Sequence, residues 1–301
     1  MEKYDDILFA EQIAAEVPQT PEYAPDNYKE YKQQERDKVY GMIDEGANSL
    51  TTPEKLREYL DIQARFDLYR PGNILLIQKQ MPMATRLKNY DEWKALKNGV
   101  RKNQHPIYIL KSGKQYTRDD GSIGQYTDIV KLFDVSQTIS SKPPKQPVYP
   151  EDRALLKALM SNSPVPAKAS NDLPDPLGAY FDPQENVILV KPGMEAQDIF
   201  RCMSAELAHV ELSRSLGEDY SRENANFTTY CVSYVLCRGY GVDVSSFNFD
   251  AAPVMFADKT PQEIRAELSN IREAAGEIGG RMKEAIQQER AAKEPKEQGD
   301  R

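Results

Sequence analysis

The spacing of hydrophobic positions predicts that most of the chain is helical. Residues 27–46 are rich in glutamate and lysine and keep a helical pattern. In SLTTPEKLREYLDIQARF, a threonine N-cap precedes Pro53, and apolar residues then recur at intervals of four, which predicts a second helix. A further helix is predicted to begin at Pro71, in PGNILLIQKQ.

The hydrophobic period changes to two after residue 99, which predicts strands. HPIYILKS and QYTDIVKLFDVSQ are rich in β-branched and aromatic residues, and the pair Asp120-Gly121 between them is a hairpin signal. Proline, serine and lysine then dominate SQTISSKPPKQPVYPED, which indicates an extended linker.

Beyond the linker, the pattern predicts a second hairpin that turns at 183–186. Helices are predicted over 195–216, over 222–240 with Gly241 as the stop, and over 261–292 with a weak point at Gly279-Gly280.

The predicted fold class is therefore α+β, with an N-terminal domain of helices and an antiparallel sheet and a mostly helical second domain that contains a small hairpin or sheet. The predicted boundaries are a helical extension over 1–50, a first domain over 51–138, a linker over 139–150, a second domain over 151–292 and a disordered tail over 293–301.

Composition narrows the class of protein. A net charge of −8 excludes a uniformly basic nucleic-acid binder, although it allows a local basic patch. No apolar run approaches the roughly 18 residues of a membrane helix, and the N-terminus has no signal pattern, so we expect a cytoplasmic protein without a membrane partner. The three cysteines lie in apolar helical contexts and are predicted to be buried reduced thiols.

Residues 61–114 carry an unusual concentration of positive charge. They contain eleven cations and four anions, a net of +7, so the rest of the chain carries −15. Five aromatic rings are interleaved with these cations, and cations that alternate with rings suit the backbone and bases of single-stranded nucleic acid. The alternative is that the rings belong to a core and the lysines form a solvated face.

The same region resembles the N-terminal domain of the antirestriction protein ArdC family, which is found on conjugative plasmids and related mobile elements. The residues that carry the resemblance are Tyr69, Asn73, Leu75, Leu76, Ile77, Ala84, Thr85, Trp93, Lys94, Ile107, Ile109, Leu110 and 133–138 (FDVSQT). Arg70-Pro71 departs from the family pattern. The resemblance implies binding of single-stranded DNA, with double-stranded DNA as a further candidate. The expected contact residues are Arg65, Tyr69, Arg70, Asn73, Lys79, Arg86, Lys88, Trp93, Lys94, Lys97, Arg101 and Lys102.

The family also carries a zincin-like metallopeptidase domain, which residues 176–245 resemble. Its metal helix would read His-Glu-x-x-His, but this chain has Ala205 in place of the first histidine. Glu206 keeps the general-base position and His209 the second-ligand position, while the third ligand position falls at about Thr228. The resemblance therefore implies a degenerate site with no metal expected, and zinc held by atypical ligands is the alternative.

The helical projection points Glu206 toward the interior, and a buried carboxylate needs a partner. We expect that partner to be His209 or a tyrosine hydroxyl from the next helix. Cys202 and His209 are two helical turns apart, which excludes a cysteine–histidine catalytic pair.

The leading hypothesis is a single-stranded DNA-binding antirestriction protein of a mobile element, whose zincin-like domain is a scaffold or a surface for host restriction or conjugation proteins. Two alternatives stay open. One is an active metal-dependent peptidase that uses Glu206 and His209. The other is a mimic of DNA, in which the acidic part of the chain occupies a host restriction enzyme.

Overall fold

The computed structural model describes residues 25–117, 123–140 and 148–293 of the 301-residue chain. The fold is α+β, as the sequence predicts. The described residues form two compact units. Unit 1 contains 25–43, 83–117 and 123–140, and unit 2 contains 44–82 and 148–293.

The helices of four residues or more are α1 (Pro25–Ser49), α2 (Pro53–Arg65), α3 (Pro71–Gln80), α4 (Tyr90–Ala95), α5 (Asp152–Met160), α6 (Ala196–Leu216), α7 (Arg222–Tyr240), α8 (Ala252–Phe256) and α9 (Pro261–Lys293). The strands are β1 (Leu87–Lys88), β2 (Ile107–Thr117), β3 (Ile123–Asp134), β4 (Ala167–Ala169), β5 (Ala179–Asp182) and β6 (Val187–Val190). Most predicted helix ends agree within about two residues. In contrast, α9 runs through the predicted weak point at Gly279-Gly280 without a break.

Unit 1 contains an antiparallel sheet in the order β1-β3-β2, together with α4 and the part of α1 up to Ile43. The strands β2 and β3 pair from Ile107 opposite Leu132 to Thr117 opposite Ile123. The turn predicted at Asp120-Gly121 lies outside the described residues, as do 141–147 of the predicted linker, 1–24 of the extension and 294–301 of the tail.

Asp134 holds the end of β3 to the segment before β1. Its buried carboxylate accepts hydrogen bonds from the backbone N–H of Thr85 at 2.7 Å, Arg86 at 2.8 Å and Ser136 at 2.9 Å. Burial opposes ionisation, but these bonds outweigh it and lower the pKa of Asp134. The FDVSQT motif therefore has a structural explanation, since its aspartate satisfies three backbone donors at once.

Unit 2 is built on the packing of α6 against α7, with α5, α9 and α2 packed around this pair. A three-stranded sheet in the order β4-β6-β5 lies against α6, with β4 and β6 parallel and β5 and β6 antiparallel. A mostly helical unit with a small hairpin and sheet is the architecture that the sequence predicts for this part of the chain.

The two units differ from the predicted domains, because α2 and α3 belong to unit 2. The apolar side of α2 is fully buried, and α2 packs against α7. Asp61 of α2 adds polar contacts, accepting hydrogen bonds from Tyr234 Oη at 2.8 Å and Arg238 Nε at 2.9 Å. The basic segment 61–114 is consequently divided, with 61–82 in unit 2 and 83–114 in unit 1.

The cysteines are free thiols, with Cys231 and Cys237 buried and Cys202 partly buried. Burial raises the pKa of all three, so the thiols stay protonated near neutral pH. Among the described helices, none combines the length and the apolar composition that crossing a bilayer requires.

Candidate functional site

Five of the twelve expected DNA-contact residues lie in unit 2. Arg65, Arg70 and Lys79 are exposed, and Tyr69 is half-buried against Phe66, with ring centroids 5.6 Å apart. Asn73, the fifth, is buried in the first turn of α3. Three cationic side chains at the ends of α2 and α3 are thus accessible.

The other seven residues lie in unit 1, and four of them lie within one short segment of the chain. Lys94, Lys97, Arg101 and Lys102 are all exposed. The backbone that carries them is well anchored, because the N–H of Arg101 donates to Gln137 O at 2.9 Å and the N–H of Ile139 donates to Gly99 O at 2.8 Å. We call residues 94–102 the basic loop.

Trp93 is a correction to the expected contact set, because its ring is only 1% exposed. The indole N–H donates to Phe133 O at 2.9 Å, and the guanidinium of exposed Arg86 lies 5.2 Å from the centroid of the ring. A buried ring cannot stack on a base, so Trp93 packs the core beneath the basic loop. Asn73 is also buried, so it is removed from the expected contact set as well. Lys88 is half-buried on β1.

Glu206, on α6 in unit 2, has a different partner from the one expected. Its Oε1 accepts from Arg222 Nη2 at 2.7 Å, and its Oε2 accepts from the backbone N–H of Phe181 at 2.7 Å. The Arg222 guanidinium also lies 4.4 Å from the centroid of the Tyr180 ring. Sequence reasoning missed Arg222, which is the first residue of α7 after the Ser221 N-cap. The positive charge of Arg222 therefore neutralises the Glu206 carboxylate.

His209 is also fully engaged. Its Nδ1 lies 3.1 Å from Tyr220 Oη, and its Nε2 lies 3.2 Å from Thr229 Oγ1. Because Thr229 donates its hydroxyl hydrogen to Asn226 O at 3.0 Å, Thr229 Oγ1 accepts from Nε2–H and Nδ1 accepts from Tyr220. Burial and the nearby charge of Arg222 lower the pKa of His209 to about 3, so the ring is neutral at physiological pH.

These residues do not fit a zinc ion. A catalytic zinc needs three protein donors with free lone pairs. Both oxygens of Glu206 and both nitrogens of His209 are hydrogen-bonded. Thr228, where the resemblance would put the third ligand, donates to Glu267. A divalent cation beside Glu206 would also meet the positive charge of Arg222. Within the described ranges, no three His, Cys, Asp or Glu side chains are grouped so as to hold a metal.

The neutral state of His209 predicts a pH-dependent stability. Its pKa is lower in the folded protein than the usual 6.5, so the unfolded chain binds a proton more readily. The contribution of the neutral His209 to the free energy of unfolding is complete above pH 6.5 and is lost as pH falls from 6.5 toward 3. Between pH 7 and pH 5 we expect it to lower the free energy of unfolding by about 2 kcal/mol. Urea unfolding at three pH values measures this slope.

The matched variants are His209→Gln and His105→Gln, which change the only two histidines of the chain. His209→Gln should remove most of the slope, whereas His105→Gln should keep it, because His105 is exposed. Equal slopes in the wild type and His209→Gln would contradict a buried neutral imidazole.

The fold and the site together define an α+β protein in which an arginine–carboxylate pair lies beside a neutral histidine. Comparison with solved structures finds the metal-free crystal structure of the antirestriction ArdC protein from plasmid R388, with 17% sequence identity, a TM-score of 0.49 and coverage of 72% of this chain and 86% of that chain. The Mn(II)-bound structure of the same protein has 17% identity, a TM-score of 0.48 and coverage of 72% and 84%. No family model and no curated protein sequence matches the chain.

Proposed function

We propose that the chain is an ArdC-like antirestriction protein of a conjugative or mobile element and that it binds single-stranded DNA. In this role it shields an incoming strand from host nucleases. The observation that carries the proposal is the basic loop, where four exposed cations are held on an anchored backbone over a packed tryptophan. The resemblance of residues 60–138 to the family supports the same function.

The proposed mode of binding is electrostatic and tolerant of sequence. Lysine and arginine side chains neutralise phosphates and release counterions, which gives affinity without base selection. We therefore expect the binding to have little sequence specificity. Arg65, Arg70 and Lys79 of unit 2 are further candidates for phosphate contacts.

The second part of the proposal concerns unit 2, which we infer to be zincin-like in origin and without peptidase activity. The Arg222–Glu206 ion pair supports this inference, because the carboxylate that would act as the general base is bound to the Arg222 guanidinium instead. The neutral, fully hydrogen-bonded His209 supports it as well. A partner surface for host restriction or conjugation proteins is the proposed present role of this unit, and a cytoplasmic location remains a prediction.

A binding titration tests the function. Fluorescence anisotropy with labelled single-stranded and double-stranded DNA of the same sequence, at about 50 and about 200 mM salt, gives both affinity and salt dependence. We expect tighter binding of the single strand and a clear loss of affinity at the higher salt. Failure to bind the single strand at the lower salt would refute the proposed function.

A further inference from the structure

A cavity of about 230 Å³ in unit 1 has no role in the function proposed so far. One face of α1 lines it, with side chains at helical spacings of three and four, among them Tyr31, Gln34 and Lys38. Tyr108 of β2 also lines it. Val39 is 2% exposed and forms an apolar floor.

The side chains around this cavity combine rings, an amide and positive charge. Tyr31 is 39% exposed, and Tyr108 is half-buried. Lys131, which pairs with Tyr108 across β2 and β3, places its Nζ 5.8 Å from the centroid of the Tyr108 ring. The carboxylate of Glu35 is compensated by Lys32 at 3.0 Å. With Glu35 offset by Lys32, the charges that remain here are Lys38 in the lining and Lys131 beside the Tyr108 ring, and both are positive.

We propose that this cavity, between α1 and β2, holds one base of a single-stranded DNA. The rings of Tyr31 and Tyr108 supply stacking surfaces, which accept any base because every base has a flat π face. The Gln34 amide both donates and accepts hydrogen bonds, so it satisfies the polar edge of the base. Lys38 and Lys131 are placed for the phosphates on either side.

This inference rests on the proposed function and adds a second kind of contact to it. The basic loop contributes charge alone, whereas the cavity contributes stacking on neutral rings. The positive charges of Lys38 in the lining and of Lys131 beside the Tyr108 ring favour a ligand that bears phosphates over the apolar side chain of a protein partner. The two contributions also differ in salt dependence, since only the loss of a charged contact changes the counterion release.

The experiment compares Tyr31→Ala, Tyr108→Ala and the double variant with wild type, using an oligothymidylate at two salt concentrations. Each loss of a ring should weaken binding by about tenfold, because stacking of a base on an aromatic ring contributes directly to the affinity. The slope of affinity against salt should stay the same. Tyr31→Phe and Tyr108→Phe keep the rings and should bind like wild type, which separates stacking from a general defect in folding.

Tyr40→Ala is the matched control, since Tyr40 is an exposed tyrosine of α1 that does not line the cavity. If the alanine variants bind like Tyr40→Ala while wild type still binds the single strand, the cavity proposal is wrong and the proposed function stands. No binding by wild type would remove both. Thymidine monophosphate distinguishes a strand from a free nucleotide, and tighter binding of the monophosphate than of the oligomer would overturn the proposal.

Discussion

Arg222→Met is expected to destabilise the protein by about 3–5 kcal/mol, the cost of leaving a buried carboxylate without its cation. Glu206 is 6% exposed, and its other oxygen is held by the backbone of Phe181, so the carboxylate cannot turn toward water without breaking that bond. Methionine keeps much of the packing on Tyr180 and removes only the charge and the donors. Denaturant unfolding at pH 7 measures the difference.

The double variant Arg222→Met/Glu206→Gln identifies the cause. A neutral amide at 206 still accepts from the Phe181 N–H, so the double variant should be more stable than Arg222→Met alone. Arg214→Met is the control, because Arg214 is 63% exposed and lies 4.0 Å from Glu211, and such a pair contributes less than about 1 kcal/mol. Equal losses for Arg222→Met and Arg214→Met would mean that the Arg222–Glu206 pair is solvated.

The helix ends could be predicted because their signals are local. The Thr52 side chain accepts from the N–H of Lys55 and Pro53 follows it, Pro71 begins α3, and Gly241 closes α7 with a φ of 77°. Each of these signals depends on residues within one turn of the helix end. Local chemistry is visible in a sequence whatever the tertiary fold.

Tertiary partners could not be predicted in the same way. The amphipathic pattern of α2 indicates that one side is buried, but not that α7 covers it, so the sequence alone groups α2 with the sheet that follows it. The alternation of cations and aromatic residues around Trp93 does not indicate whether its side chain is buried or exposed. Arg222 and Glu206 are 16 residues apart on consecutive helices, and no spacing rule links a helix start to the middle of the preceding helix.

The basic loop is expected to account for a large part of the salt dependence of DNA binding. In the variant with glutamine at Lys94, Lys97, Arg101 and Lys102, the log–log slope for single-stranded DNA should fall by about 2.8, since each phosphate contact contributes about 0.7. Between about 50 and about 200 mM salt, wild type should therefore lose about 50-fold more affinity than the variant. The four side chains are exposed, so the fold should tolerate the change.

The matched control changes four exposed cations of unit 2, Arg153, Lys157, Lys168 and Arg214, to glutamine and produces the same change in net charge. If the long-range field of the whole protein governed binding, both variants would lose the same slope. If phosphates contact the basic loop, only the first variant loses slope, because only cations that contact phosphates change the counterion release. A wild-type slope in the basic-loop variant would exclude those four side chains from the interface and leave the other cations of the expected contact set as candidates, namely Arg65, Arg70, Lys79, Arg86 and Lys88.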